Sequence, residues 1–222
     1  MGYHLRVKIC GVTNSVDARE AAALGADAVG LNFYPDSPRC VDPVAANNVL
    51  RELPPFVEAV AVVVNEPLRD VFARLQTLSR IRSIQWHGTD RELSDVYPYH
   101  LIAAFAVQDA DSLTAIRRYL DTCKLVGALP SAVLLDAHVA GRHGGTGRTA
   151  PWKLLATFRP GVPVILAGGL TPENVAEAVR IVQPWGVDVA SGVEHRPGRK
   201  DPEKMRRFLA AAREAAERLS RR

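Results

Sequence analysis

Cysteine is scarce in this chain: Cys10, Cys40 and Cys123 are all there are in 222 residues. The count is odd and no two stand as C-x-x-C, which argues against a disulfide framework and a dithiol redox motif. No cysteine–histidine cluster has the spacing of a metal site, so no metal is expected. A reducing, cytoplasmic setting fits these thiols. Long apolar runs are missing as well. Nothing approaches the ~18 residues of a membrane span, and the opening MGYHLRVKICG lacks the apolar core of a signal peptide. No membrane association is expected.

Charge of neither sign dominates. There are 28 Lys and Arg against 24 Asp and Glu, a surplus of +4. The late basic residues (Arg206, Arg207, Arg213, Arg218, Arg221 and Arg222) alternate with Glu203, Glu214 and Glu217. That pattern reads as a solvated helix face, not as a nucleic-acid site. The mild positive field suits an anionic small molecule. A dinucleotide fingerprint and a Walker loop are both absent, and no cofactor is expected. Low-complexity linkers are absent too, in a composition of 47% hydrophobic and 23% charged residues that is ordinary for a globular protein.

What is present is alternation. Strand-like runs fall at Leu5–Ile9, Ala28–Phe33, Val57–Val64, Ile81–Trp86, His100–Phe105, Ala132–Leu135, Val162–Ala167 and Val187–Ala190. Segments of helical period lie between them, such as Asp17–Leu24, Ala45–Leu53, Leu68–Leu78 and Ser112–Leu120. After Thr171, read as an N-cap, Pro172 stands at the first helical position, with Val175, Ala178, Val179 and Val182 on one face. The last helix runs from Pro202 to about Leu219. Eight strand–helix units in this length predict an α/β fold, a single-domain (β/α)8 TIM barrel over residues 1–222, in preference to a doubly wound open sheet.

In such a barrel the chemistry sits at the C-terminal ends of the strands. The sixth strand ends on Asp136 and leads to Gly144, Gly145 and Gly147. The seventh leads to Gly168 and Gly169, and the eighth to Ser191 and Gly192. Three such junctions at one end of a barrel suggest backbone grips on a phosphate. Alternation puts Lys8 with Cys10, Gln85 with His87, Leu134 with Asp136, and Asp188 with Ala190 on inward faces. The Lys8 ammonium is expected to favour a Cys10 thiolate, drawing its pKa towards neutrality. A thiolate base and a carboxylic acid, Asp136, facing a phosphosugar would suit a proton-shuttling isomerisation. Arg39 follows the second strand in a proline-restricted loop. The residues alone leave it open between a carboxylate clamp and a surface ion pair.

The segments VKICGVTN, GADAVGLNFYPDSPR, VVVNEP, IQWHG, LLDAHVAGRHGGTG, ILAGGLTPENV and VDVASGVEHRPGRKD occur in that order and span nearly the whole chain. Together they resemble the phosphoribosylanthranilate isomerase family of tryptophan biosynthesis. The resemblance implies a (β/α)8 barrel that converts N-(5-phosphoribosyl)anthranilate to 1-(2-carboxyphenylamino)-1-deoxyribulose 5-phosphate by an Amadori rearrangement. It implies Asp136 as the acid, Cys10 as the base, and Arg39 on the anthranilate carboxylate. The phosphate would be held by backbone at Gly144, Gly145, Gly147, Gly168, Gly169, Ser191 and Gly192. Lys8, His87 and Asp188 are candidates to touch the substrate or to support the groups that do. The partner implied is a small phosphoribosyl substrate, and the protein a monomer or homodimer.

The chain departs from the family pattern at Ala103, where a lysine or arginine is expected, at Ala190, where a hydroxyl is lost, at Trp86, and in a longer loop after Asp136. Ala103 and that loop could alter rate or substrate range. Alternative readings are the related histidine-pathway isomerase or a dual-specificity enzyme, and a non-catalytic phosphosugar-binding barrel. The histidine-pathway family has an aspartate where this chain has Cys10. A pure binder needs no acid and base.

Overall fold

The computed structural model describes residues 3–88, 96–137 and 152–221. Eight parallel strands close into a barrel in sequence order. They are β1 (Arg6–Cys10), β2 (Ala28–Asn32), β3 (Glu58–Val64), β4 (Ser83–His87), β5 (His100–Ala106), β6 (Ala132–Asp136), β7 (Val164–Ala167) and β8 (Gly186–Val189). Closure comes from β1, whose Lys8 pairs with Ala28 of β2 on one side and Asp188 of β8 on the other. Each predicted strand is present, with ends shifted by a residue or two. Two of those shifts matter for the site. The first strand extends to Cys10 and the sixth to Asp136, so both residues belong to the barrel ladder itself.

Parallel strands covered on both faces read as nearly unbroken apolar runs, EAVAVVV in β3 for instance. Their two faces serve different layers. Val7, Ile9, Val29, Ala61, Ile84, Trp86, Leu135 and Val187 pack outward with the helices in one large core. Val60, Ile102, Ala104, Leu134, Ile165 and Ala167 pack together within the barrel. Against that apolar lining, the buried inward side chains Lys8, Gln85 and Asp188 stand out, from β1, β4 and β8.

Seven α-helices lie among the described residues: α1 (Ser15–Ala23), α2 (Pro43–Glu52), α3 (Leu68–Gln76), α4 (Ala110–Leu125), α5 (Trp152–Leu155), α6 (Val175–Val182) and α7 (Pro202–Ser220). The expected unit after β4 falls largely on 89–95, outside the described residues. The α7 start follows the expected chemistry: Pro202 sits in the first turn and the Asp201 carboxylate accepts from the Glu203 and Lys204 N–H groups. The α6 start carries the expected Thr171 cap: Thr171 Oγ1 accepts from Glu173 N at 3.2 Å, and Asn174 Oδ1 accepts in return from Thr171 N at 2.8 Å. Regular helix begins three residues after Pro172. Asn174 Nδ2 also donates to the Gly169 carbonyl at 2.9 Å, which ties the glycine turn to the helix start. A short hairpin that the sequence reading missed, β9 (Glu194–Arg196) with β10 (Arg199–Lys200), follows β8. Among the described residues no helix is long and apolar enough to cross a membrane.

Candidate active site

Cys10 ends β1 with its side chain turned inward and 8% of the residue exposed. Its register partner on β2 is Gly30. A Cβ there would stand 2.8 Å from Cys10 Sγ and 3.1 Å from Lys8 Nζ, so the glycine provides the space in which these two groups meet. Lys8 Nζ donates to Asp188 Oδ1 at 2.8 Å and to Gln85 Oε1 at 2.9 Å, entirely buried. Burial works against the ammonium, but Asp188 and Cys10 outweigh it and raise the Lys8 pKa. Gln85 Nε2 lies 2.8 Å from His87 Nε2. Since the Gln85 oxygen already accepts from Lys8, its nitrogen is the donor, and His87 accepts with the proton on Nδ1. Asp188, Lys8, Gln85 and His87 thus follow one another in a single hydrogen-bonded chain across the barrel.

The expected low pKa of Cys10 is corrected by this environment. Burial pushes the thiol up, and the Asp188 carboxylate adds to that. Lys8 and Lys200 oppose the rise without cancelling it. The Lys8 ammonium taken alone favours the thiolate, and the desolvation that the closed barrel imposes outweighs it.

Arg39 lies beside Cys10, not far out on the loop. Gly11 adopts φ +70°, and its missing side chain leaves room for the Arg39 stem to cross it. The guanidinium is held: Nε donates to Glu194 Oε1 at 2.8 Å and Nη2 to Glu194 Oε2 at 2.6 Å. Arg39 therefore forms an ion pair, and its partner is a buried carboxylate in place of a surface one. Lys200 comes in from β10, its side chain fully buried, donating to Glu194 Oε1 at 3.0 Å and to the Ala190 carbonyl at 3.1 Å. Burial lowers the Lys200 pKa despite Glu194. Burial also works against the Glu194 carboxylate, but Arg39 and Lys200 hold its pKa below the usual range. Glu194 and Lys200 were missed in the sequence. Their only signal was two opposite charges in a short stretch after the last strand.

Asp136 ends β6, half-buried, in register with Ala106 and Ala167, on the same face as the inward Leu134. Gly168 (φ +93°) and Gly169 (φ +63°) form the turn after β7, and Ser191–Val193 a single 3-10 turn after β8. These two candidate phosphate grips touch. A Cβ on Gly192 would run into the Leu170 carbonyl oxygen. The third grip, Gly144, Gly145 and Gly147, lies outside the described residues, as does most of the loop after Asp136. Ala103 pairs with Trp86 and Val133, both members of the outer layer. Its methyl group therefore faces the helices, which removes it from direct contact with substrate.

Comparison with known proteins agrees over the whole length. Residues 7–211 match the family model described as N-(5'phosphoribosyl)anthranilate (PRA) isomerase. The N-(5'-phosphoribosyl)anthranilate isomerase of Acidithiobacillus ferrooxidans is 46% identical over 211 residues, 94% of this chain and 98% of that protein. The crystal structure of phosphoribosyl anthranilate isomerase from Thermotoga maritima superposes with a TM-score of 0.83 at 35% identity, covering 95% of this chain and 100% of its own. A phosphoribosyl anthranilate isomerase in complex with reduced 1-(o-carboxyphenylamino)-1-deoxyribulose 5-phosphate gives 0.81 at 33% identity, covering 95% and 100%. The shared fold and a family match over nearly the whole chain lead to one conclusion: the chain belongs to the N-(5'-phosphoribosyl)anthranilate isomerase family.

Proposed function

We propose that this chain converts N-(5-phosphoribosyl)anthranilate to 1-(2-carboxyphenylamino)-1-deoxyribulose 5-phosphate, a step of tryptophan biosynthesis, by general acid/base catalysis. Asp136 gives a proton to the furanose ring oxygen as the C1–O bond breaks and the amine lone pair forms an iminium. The Cys10 thiolate takes the proton from C2, giving an enolamine, and protonation at C1 with loss of the C2 hydroxyl proton completes the ketoamine. No electron leaves the substrate, so the chemistry needs no redox partner. Arg39 holds the anthranilate carboxylate. Backbone at Gly168–Gly169 and Ser191–Gly192 takes the phosphate, together with Gly144, Gly145 and Gly147, which lie outside the described residues.

One observation carries this reading. Cys10 and Asp136 are the last residues of two strands of one closed barrel, both on its inward face. Support for the base comes from the two ammonium groups, Lys8 and Lys200, which oppose the burial of a thiolate charge at Cys10. The three cysteines are free, which supports a reducing, cytoplasmic setting.

The test is to follow anthranilate fluorescence while purified protein acts on phosphoribosylanthranilate, with the histidine-pathway substrate run in parallel. Cys10→Ala and Asp136→Asn are each expected to lower kcat by roughly 10²–10⁴-fold while substrate still binds. Wild-type turnover by the double variant would remove both residues from the mechanism.

A further inference from the structure

Glu194 does more than pair with one arginine. Only 6% of the residue is exposed, yet its carboxylate accepts from Arg39 Nε and Nη2, from Lys200 Nζ, and from the Gly198 N–H at 3.3 Å. A guanidinium offers two edges that fit a carboxylate, one side-on through Nε and one nitrogen, one end-on through the two terminal nitrogens. Glu194 occupies the side-on edge. Among the described residues Nη1 makes no hydrogen bond, so the end-on edge remains available for a second carboxylate. The Arg39 stem is confined at its other end by Gly11. Lys200, from the same carboxylate, reaches the Ala190 carbonyl at the start of the Ser191–Gly192 turn.

We propose that Glu194 is the positioning residue of the carboxylate clamp. By filling the Nε–Nη2 edge of Arg39 it locks the guanidinium with its Nη1–Nη2 edge turned to the anthranilate carboxylate of the substrate. The inference rests on the isomerase reading above. It is also distinct from the opposite role, in which Glu194 would be a competitor that the substrate carboxylate displaces. The two roles move KM in opposite directions.

The experiment is steady-state kinetics on phosphoribosylanthranilate with wild type, Glu194→Gln, Glu194→Asp, Arg39→Ala and the Arg39→Ala/Glu194→Gln double variant. Circular dichroism and melting curves establish that each is folded. Glu194→Gln sets an amide N–H against an arginine donor. It is expected to raise KM roughly tenfold, at the lower end of what loss of an orienting partner costs, with kcat changed far less. Glu194→Asp should fall between. In the Arg39→Ala background Glu194→Gln should add nothing, because its effect passes through the missing guanidinium. Phosphoribosylaniline, which lacks the carboxylate, should show equal KM with wild type and Glu194→Gln.

An unchanged or lowered KM in Glu194→Gln overturns the proposal, as does a full multiplicative effect on top of Arg39→Ala. If the Gln variant does not fold, Glu194→Asp decides: a raised KM supports the proposal and an unchanged one overturns it. No turnover by wild type, or an unchanged KM in Arg39→Ala, refutes the isomerase site itself. Wild-type turnover with a raised Arg39→Ala KM and a normal Glu194→Gln KM refutes this inference alone.

Discussion

The aliphatic stem of Arg39 lies across Gly11, and a methyl group on that glycine would overlap Arg39 Cδ. Gly11, directly after Cys10, and Arg39, in the loop that follows β2, thereby meet at one edge of the barrel mouth. The φ of +70° at Gly11 disfavours any side chain there even without the overlap. Gly11→Ala is therefore expected to lower stability by about 1–3 kcal/mol. It should also raise KM for phosphoribosylanthranilate by displacing the clamp. Thermal melting and steady-state kinetics on one preparation check both, and a variant with wild-type KM would separate Arg39 placement from Gly11.

Gly30 has no positive φ to satisfy, and its role is space. A Cβ 2.8 Å from Cys10 Sγ and 3.1 Å from Lys8 Nζ has to push one of them aside. Gly30→Ala should cost about 1–3 kcal/mol of overpacking and reduce kcat more than it raises KM, since the base is displaced and the clamp is not. Equal kcat in wild type and variant would show that the thiol tolerates the shift.

The Lys8–Asp188 pair is buried at both ends, with side-chain exposures of 5% and 8%. Removing one partner leaves a buried charge, so Asp188→Ala is expected to destabilise by about 3–5 kcal/mol in urea unfolding. The double replacement Lys8→Met/Asp188→Leu should recover most of that loss, because no unpaired charge remains. It should not recover activity, because Cys10 then loses an ammonium that favours its thiolate. Full recovery of activity would make the pair structural only.

The acidity of Cys10 sets a pH dependence. Its thiol is pushed up, first by burial and then by Asp188, so the thiolate is a minority form at neutral pH. A base must be unprotonated to act, and kcat/KM follows the free enzyme. The profile should therefore climb with pH through and beyond about 8.5, the ordinary thiol value. In Cys10→Asp, any residual activity should lose this alkaline rise, since a carboxylate is already ionised there. A wild-type profile flat from pH 7 to 9 would remove the thiol from the rate-limiting proton transfer.

Much of the site was legible because strand periodicity is local. Once a strand is assigned, alternation alone places Lys8 with Cys10 and Leu134 with Asp136, and it turns Trp86 towards the helices. The glycine pairs were legible for the same reason, being punctuation at strand ends. The Asn174 contact with the Gly169 carbonyl was not, because it depends on where the preceding turn lies.

The sequence by itself determined which residues could carry the chemistry and which face of its strand each would occupy. Composition and a two-residue period are properties of the chain, and they survive any arrangement of the strands in the sheet. Only the tertiary structure decided which charges become neighbours. Asp188 reaches Lys8 across 180 positions and Glu194 reaches Arg39 across 155. Closure of β8 against β1 brings both about. That same closure removes water from Cys10 and reverses the pKa shift that Lys8 alone would impose, because desolvation belongs to the packed fold and to no single residue.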